Sequence, residues 1–139
     1  MEQMRPYSQT LDRLRDAGLR PTRQRLALGK LLFDTAHRHI TAEQLHSEAM
    51  TDNIRVSLAT VYNTLHQFTD AGLLREIVVD AGRSYFDTNT DHHHHFFDET
   101  NGTLIDVPKG QLNITDMPAP PAGATIESVD VVVHIRTAS

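Results

Sequence analysis

Residues 57–88 read SLATVYNTLHQFTDAGLLREIVVDAGRSYFDT, and the spacing of their apolar residues changes part-way. Leu58, Val61, Leu65 and Phe68 recur every three or four positions, which is the stripe of an amphipathic helix. Ser57 stands where an N-cap belongs, and Gly72 stands where a helix stops in a left-handed turn. Beyond it come two β-rich runs joined around Ala81-Gly82, the pattern of a hairpin. Upstream, SQTLDRLRDAGLR predicts a short helix ending at Gly18, and PTRQRLALGKLLFDTA a second with Leu26, Leu28, Leu31, Leu32 and Phe33 as its apolar stripe. TAEQLHSEAM predicts a third, where Thr41 and Gln44 form a capping box. Short helices followed by a two-stranded hairpin are the element order of a winged helix.

After residue 88 the pattern differs. HHFFDE, Asn101-Gly102 and TLIDV predict a second hairpin with a tight turn. PAPPAGA is incompatible with helix or central strand and reads as a linker, and TIESVDVVVHIR predicts a strong strand. A piece of about 50 residues buries too little apolar surface to stand alone and leans on a metal, disulfides or a partner. With no cysteine in the chain, disulfides are excluded, so a homodimer is the simplest remedy and a bound metal a supplement. The expected fold class is α+β: an N-terminal winged helix-turn-helix domain over residues 1–88, followed by a small α/β dimerisation domain over residues 89–139.

The lack of cysteine also excludes thiolate zinc sites and thiol redox chemistry. The first apolar residues are scattered among Arg5, Arg13 and Arg15, unlike a signal peptide, and no apolar run approaches a membrane span. A cytoplasmic protein with no membrane partner is expected. The net charge of −5 argues against indiscriminate nucleic-acid binding, yet it hides a gradient. Residues 1–38 carry eight Lys or Arg against four Asp or Glu, whereas residues 85–139 carry two against eight. A basic head and an acidic tail suit a chain of which one part faces an anionic partner.

His92-His93-His94-His95 lies well inside the chain, unlike a terminal tag. Neutral imidazole is the commonest metal ligand and also serves haem iron. On a strand, His92 and His94 would face one way and His93 and His95 the other, giving two candidate sites rather than one. The alternative is a solvated polar strand.

In a helix-turn-helix the second helix enters the major groove with its N-terminal residues at the base edges. In the helix beginning at Ser57, Ser57 and Thr60 can donate to phosphates, and Tyr62 and Asn63 lie one turn in. An ordinary amphipathic helix has the same periodicity. The blocks AGLRPTRQR, HITAEQL, SLATVYNTLHQFTDAGLL, GRSYFD and HHHH, in this order and spacing, resemble the ferric-uptake-regulator family. That resemblance implies a dimeric transcriptional regulator, with Tyr62 contacting bases and Arg20 entering the minor groove.

The resemblance also implies metal ligands. His39, Asp87 and His94 match a regulatory site whose further ligand falls at Phe96, and His93 and His95 match two ligands of a second site. The remaining ligands of that second site would fall near Asn113 and Val129, and a cysteine pair of the family's structural zinc site at Glu99 and Gly102. The histidine run, the shortened C-terminal domain and VDVVVHIR resemble the iron-response-regulator branch, which binds haem. Without cysteine, His93, His94 and His95 are the candidate haem ligands here.

The reading is a dimeric, sequence-specific repressor of iron and haem homeostasis genes that binds an AT-rich inverted repeat of double-stranded DNA. Its signal is haem or a divalent metal (Fe, Mn or Zn). Two alternatives are a divalent-metal-dependent repressor without haem sensing and, from another class, a small non-haem metalloenzyme built on two histidines and a carboxylate. No general base or substrate pocket supports the enzyme, and a metal-storage protein would need more ligands than nine histidines.

Overall fold

The computed structural model describes residues 7–138 and falls into two compact units, one ending at Thr90 and the other beginning at Asp91. Arg5, used above against a signal peptide, lies outside the described residues.

The first unit contains α1 (Ser8–Asp16), α2 (Arg23–Phe33), β1 (His39–Ile40), α3 (Ala42–Thr51), α4 (Leu58–Asp70), β2 (Arg75–Asp80) and β3 (Arg83–Asp87). The expected caps are present. The Thr41 hydroxyl accepts from the Gln44 N–H while the Gln44 side chain accepts from the Thr41 N–H, and Ser57 accepts from the Thr60 N–H. Gly72 ends α4 at φ 82°, letting the Leu73 N–H reach back to the Phe68 carbonyl at 2.9 Å.

The helices bury Leu14, Leu28, Leu32, Leu45, Val61, Leu65 and Phe68 against one another and against Ile40 and Phe86 of the sheet. Each such side chain stabilises the fold by about 1.5–3 kcal/mol through burial. The sheet runs β1-β3-β2, antiparallel throughout, so the hairpin is held at one edge by the two-residue β1. That short strand pairs Ile40 with Phe86 and His39 with Asp87, which decides the site described below.

The second unit is a three-stranded sheet: β4 (His95–Asp98) lies between β5 (Thr103–Asp106), antiparallel, and β6 (Val132–Ile135), parallel. Phe97, Leu104 and Val107 form its small buried set. Asp98 fastens the tight turn, accepting from the Thr100 N–H and the Asn101 side-chain amide, both at 2.9 Å, and from the Thr137 hydroxyl. The Thr137 bond is the main reason the Asp98 carboxyl is held below the usual carboxylate range, against the opposing pull of burial.

Among the described residues the second unit holds strands and no helix, and Pro108, Pro118, Pro120 and Pro121 interrupt the connection between β5 and β6, as the linker reading expects. One feature differs from the sequence reading. The expected twelve-residue strand TIESVDVVVHIR shrinks to Val132–Ile135, because a strand extends only as far as its partner and β4 offers four residues. Among the described residues no helix is long and apolar enough to cross a membrane.

Candidate functional site

In the first unit, the β1–β3 register sets His39 opposite Asp87. His39 Nε2 lies 3.1 Å from Asp87 Oδ2, and Asp87 is 1% exposed. The other carboxylate oxygen accepts from the Asn89 N–H at 2.9 Å, which holds the group with Oδ2 towards the imidazole. An imidazole and a buried, oriented carboxylate are the donor pair that divalent iron, manganese and zinc accept.

In the second unit the four histidines divide their work by the alternation of an extended chain. The His92 and His94 rings lie 5.2 Å apart, and the His93 and His95 rings 4.4 Å apart. His92 Nε2 donates to the Val129 carbonyl at 2.9 Å, and His94 Nδ1 accepts from the Val131 N–H at 3.1 Å. Those two side chains clasp the segment that leads into β6. On the other side, His93 Nε2 lies 3.1 Å and His95 Nε2 3.4 Å from one oxygen of Asp106. Cross-strand pairing of His95 with Asp106 places the carboxylate there.

The hydrogen bonding of His93 gives this cluster its chemical meaning. Its Nδ1 is 2.5 Å from the Asp91 carbonyl, an acceptor only, so Nδ1 must carry the proton. In neutral imidazole Nε2 then holds a lone pair, and that lone pair faces the Asp106 carboxylate, another acceptor. Two acceptors at this distance need a cation between or beside them, either a proton or a metal ion. A backbone carbonyl fixing the tautomer of a ligating histidine is also the usual outer shell of a metal site. The residues therefore fit a divalent ion.

The sequence-predicted site residues are thus distributed unevenly. The structure brings His39 to Asp87, and His93 to His95, while the Nδ1 lone pair of His94 is spent on the backbone of Val131. Asp106 was missed. Counting back across the Asn101-Gly102 turn, which pairs Asp98 with Thr103 and hence His95 with Asp106, would have found it.

The DNA-facing candidates lie on α4 and the segment before α2. Ser57 donates its hydroxyl hydrogen to Thr60 Oγ1 at 2.9 Å while capping the helix, so both residues are organised at its first turn. Tyr62 and Asn63 are exposed. The Tyr62 hydroxyl donates to Glu43 Oε1 of α3 at 2.7 Å, and its ring stacks on His66 at 6.4 Å with an interplanar angle of 18°. His66 in turn meets the Phe86 ring edge-on at 5.7 Å. The hydrogen bond to Glu43, with burial and the carboxylate charge behind it, pushes the Tyr62 hydroxyl above the ordinary phenol range. Arg20 is exposed, and its carbonyl accepts from Arg25 Nη1 at 2.7 Å. The Arg25 guanidinium also donates to the Gln67 side-chain carbonyl at 2.9 and 3.2 Å, tying the Arg20 segment to α4. Glu43 was not among the residues singled out in the sequence.

The sequence profile of the Ferric uptake regulator family matches residues 16–134. The chain is also 38% identical over 100 residues to the "Peroxide-responsive repressor PerR" of Staphylococcus aureus (strain Mu50 / ATCC 700699), covering 72% of this chain and 67% of that protein. The chain belongs to the ferric uptake regulator family. It is accordingly a transcriptional regulator and not an enzyme, and regulators of this family bind DNA and are dimers. Among solved structures, it resembles the ferric uptake regulator from Pseudomonas aeruginosa with manganese: TM-score 0.66, 26% identity, 92% of this chain and 97% of that one. The Vibrio cholerae ferric uptake regulator shares the fold at TM-score 0.71 and 24% identity, over 92% and 99% of the two chains. The ferric uptake regulator fold combines an N-terminal DNA-binding domain with a C-terminal dimerisation domain, so the α+β class read from the sequence holds.

Proposed function

We propose that this ferric uptake regulator family member is a homodimeric repressor of iron homeostasis genes. In this reading residues 1–88 bind DNA through α4, residues 89–139 dimerise, and a divalent ion (iron, manganese or zinc) is the signal. The candidate ligands are His39 and Asp87 in the first unit and His93, His95 and Asp106 in the second. The observation that carries the reading is the His93–Asp106 contact, where a tautomer imposed by the Asp91 carbonyl sets a lone pair against a carboxylate. When bound, the ion supplies positive charge that holds imidazoles and carboxylates together. Asp87 is next in sequence to Phe86, whose ring packs on His66 beneath Tyr62, so fixing Asp87 steadies the helix that reads DNA. His94 joins the ligands only if its bond to the Val131 N–H opens.

Ser57, Thr60 and Arg20 serve as backbone contacts in this reading, and Tyr62 and Asn63 as base contacts, on an AT-rich inverted repeat with half-sites roughly 10 bp apart. Haem is the second signal, as in the iron-response-regulator branch, with imidazoles of His93, His94 and His95 as axial ligands. The recess beside His92, His93 and His94 is only about 150 Å³, so haem entry requires the Val107–Gly110 segment to give way.

The test is operator binding by chelator-stripped protein, using duplex DNA selected from a randomised pool, titrated separately with Mn(II), Zn(II), Fe(II) and haemin. A hydrogen peroxide arm on the Fe(II) form is included because the Staphylococcus aureus relative is named peroxide-responsive. Divalent metal should strengthen binding and haemin weaken it. DNA affinity indifferent to every ion would sink the metal reading, and an unchanged haemin spectrum would remove haem. Light scattering at micromolar concentration should give a dimer.

A further inference from the structure

Tyr62 is held at both ends, its ring on His66 and its hydroxyl on Glu43. A carboxylate at this place is costly for a DNA-binding face, since in a helix-turn-helix the first helix crosses the phosphate backbone. Glu43 lies in the first turn of α3, where the helix dipole favours its charge and the capping box fixes the turn. The hydroxyl of Tyr62 has one hydrogen to give. Once that hydrogen is directed at Glu43 Oε1, the phenol oxygen presents lone pairs alone to anything else. The upward push on the Tyr62 hydroxyl agrees with this, because the carboxylate keeps the hydrogen in place.

The major-groove edges of the bases differ in this respect. Adenine N6 and cytosine N4 donate, whereas guanine O6 and N7 and thymine O4 accept. From this geometry we infer that Glu43 is a positioning residue that sets Tyr62 as a hydrogen-bond acceptor, so that Tyr62 selects base pairs presenting an amino group and rejects those presenting a carbonyl at that place. The ring remains available to thymine methyl groups in either state. The inference rests on the reading of α4 as the base-contacting helix.

The experiment uses the full-length, Mn(II)-loaded protein and duplex DNA selected from a randomised pool by the wild type. Wild type, Tyr62→Phe, Glu43→Gln and Glu43→Ala are then measured on that duplex and on all its single-base substitutions at one salt concentration. Thermal melts by circular dichroism accompany each variant. Tyr62→Phe should lose roughly tenfold discrimination at one base pair per half-site, the worth of a single well-made hydrogen bond. Glu43→Ala should lose discrimination at that same base pair and nowhere else, because the freed hydroxyl can then donate to carbonyls. Glu43→Gln, whose side-chain carbonyl accepts the same hydrogen, should keep it. The inference is overturned if Glu43→Ala retains wild-type discrimination there, or if it loses affinity evenly at every position with its fold intact. If Tyr62→Phe changes no position, the hydroxyl reads no base and this inference fails, whereas Tyr62→Ala binding the selected duplex as tightly as wild type would instead overturn the reading of α4 as the base-contacting helix.

Discussion

Replacing Asp87 by Asn separates the structural and the metal-binding parts of the His39–Asp87 pair. Asparagine has the same shape, so its carbonyl can keep the bond from the Asn89 N–H, while its NH2 replaces Oδ2 and can donate to His39 Nε2. In metal-free protein a charge-assisted bond of about 1.5–3 kcal/mol becomes a neutral one of about 0.5–1.5 kcal/mol, a net cost near 1 kcal/mol. For a unit of this size that lowers Tm by roughly 4–8 °C. The effect on the ion is larger. The variant loses an anionic donor, and altering even an outer partner of a ligand typically costs about 10- to 100-fold in metal affinity. The Mn(II) concentration giving half-maximal operator binding should therefore rise by at least roughly tenfold, the lower end of that range. The assay pairs a metal-free melt with fluorescence-anisotropy operator binding in metal buffers. A midpoint within a factor of two of wild type, in protein that melts normally, would refute the assignment of Asp87 as a ligand.

Within the histidine run, His93→Ala, His95→Ala and Asp106→Asn should each weaken Mn(II) or Zn(II) binding, measured by competition with a chromogenic chelator. His92→Ala should leave that affinity nearly unchanged while loosening the Val129–Val131 segment, seen as faster amide exchange there; an equal loss for all four would disprove the division of labour. Arg20→Ala should reduce the salt slope of DNA binding by about one unit, and Tyr62→Ala should cost about 1–3 kcal/mol on specific DNA with the slope retained; identical behaviour of the two variants would contradict their separate roles. Asp98, held below the usual carboxylate range chiefly by Thr137, stabilises the folded state above the unfolded carboxyl pKa of about 3.9, and that contribution fades as pH falls through the lower folded value. Asp98→Asn should flatten the fall in Tm below about pH 4, and an unchanged pH profile would count against it.

Much of this architecture is local and therefore readable along the chain. The capping box at Thr41, the Ser57 cap, the glycine after α4 and the hairpin around Ala81-Gly82 each depend on residues a few positions apart. So does the order of helices and hairpin in the first unit, because periodicity alone tells which face of each element must be buried. The alternation of the histidine run was likewise legible, since it follows from the geometry of an extended chain. What a side chain meets is another matter. The bond between Glu43 and Tyr62 joins residues 19 apart on two helices, and its existence depends on how α3 packs on α4. His39 meets Asp87 because a two-residue strand happens to find β3, and so short a strand has no periodic signal. His94 Nδ1 accepts from the Val131 N–H, 37 residues away, and Asp106 comes beside His93 and His95 only through strand register. The last strand shortened because its length belongs to its partner and not to its own apolar run. Sequence alone determined elements, their order and the chemical kinds of donor available; tertiary structure decided which donors meet, because hydrogen bonds and ligand pairs require atoms within about 3 Å, a distance that spacing along the chain does not encode.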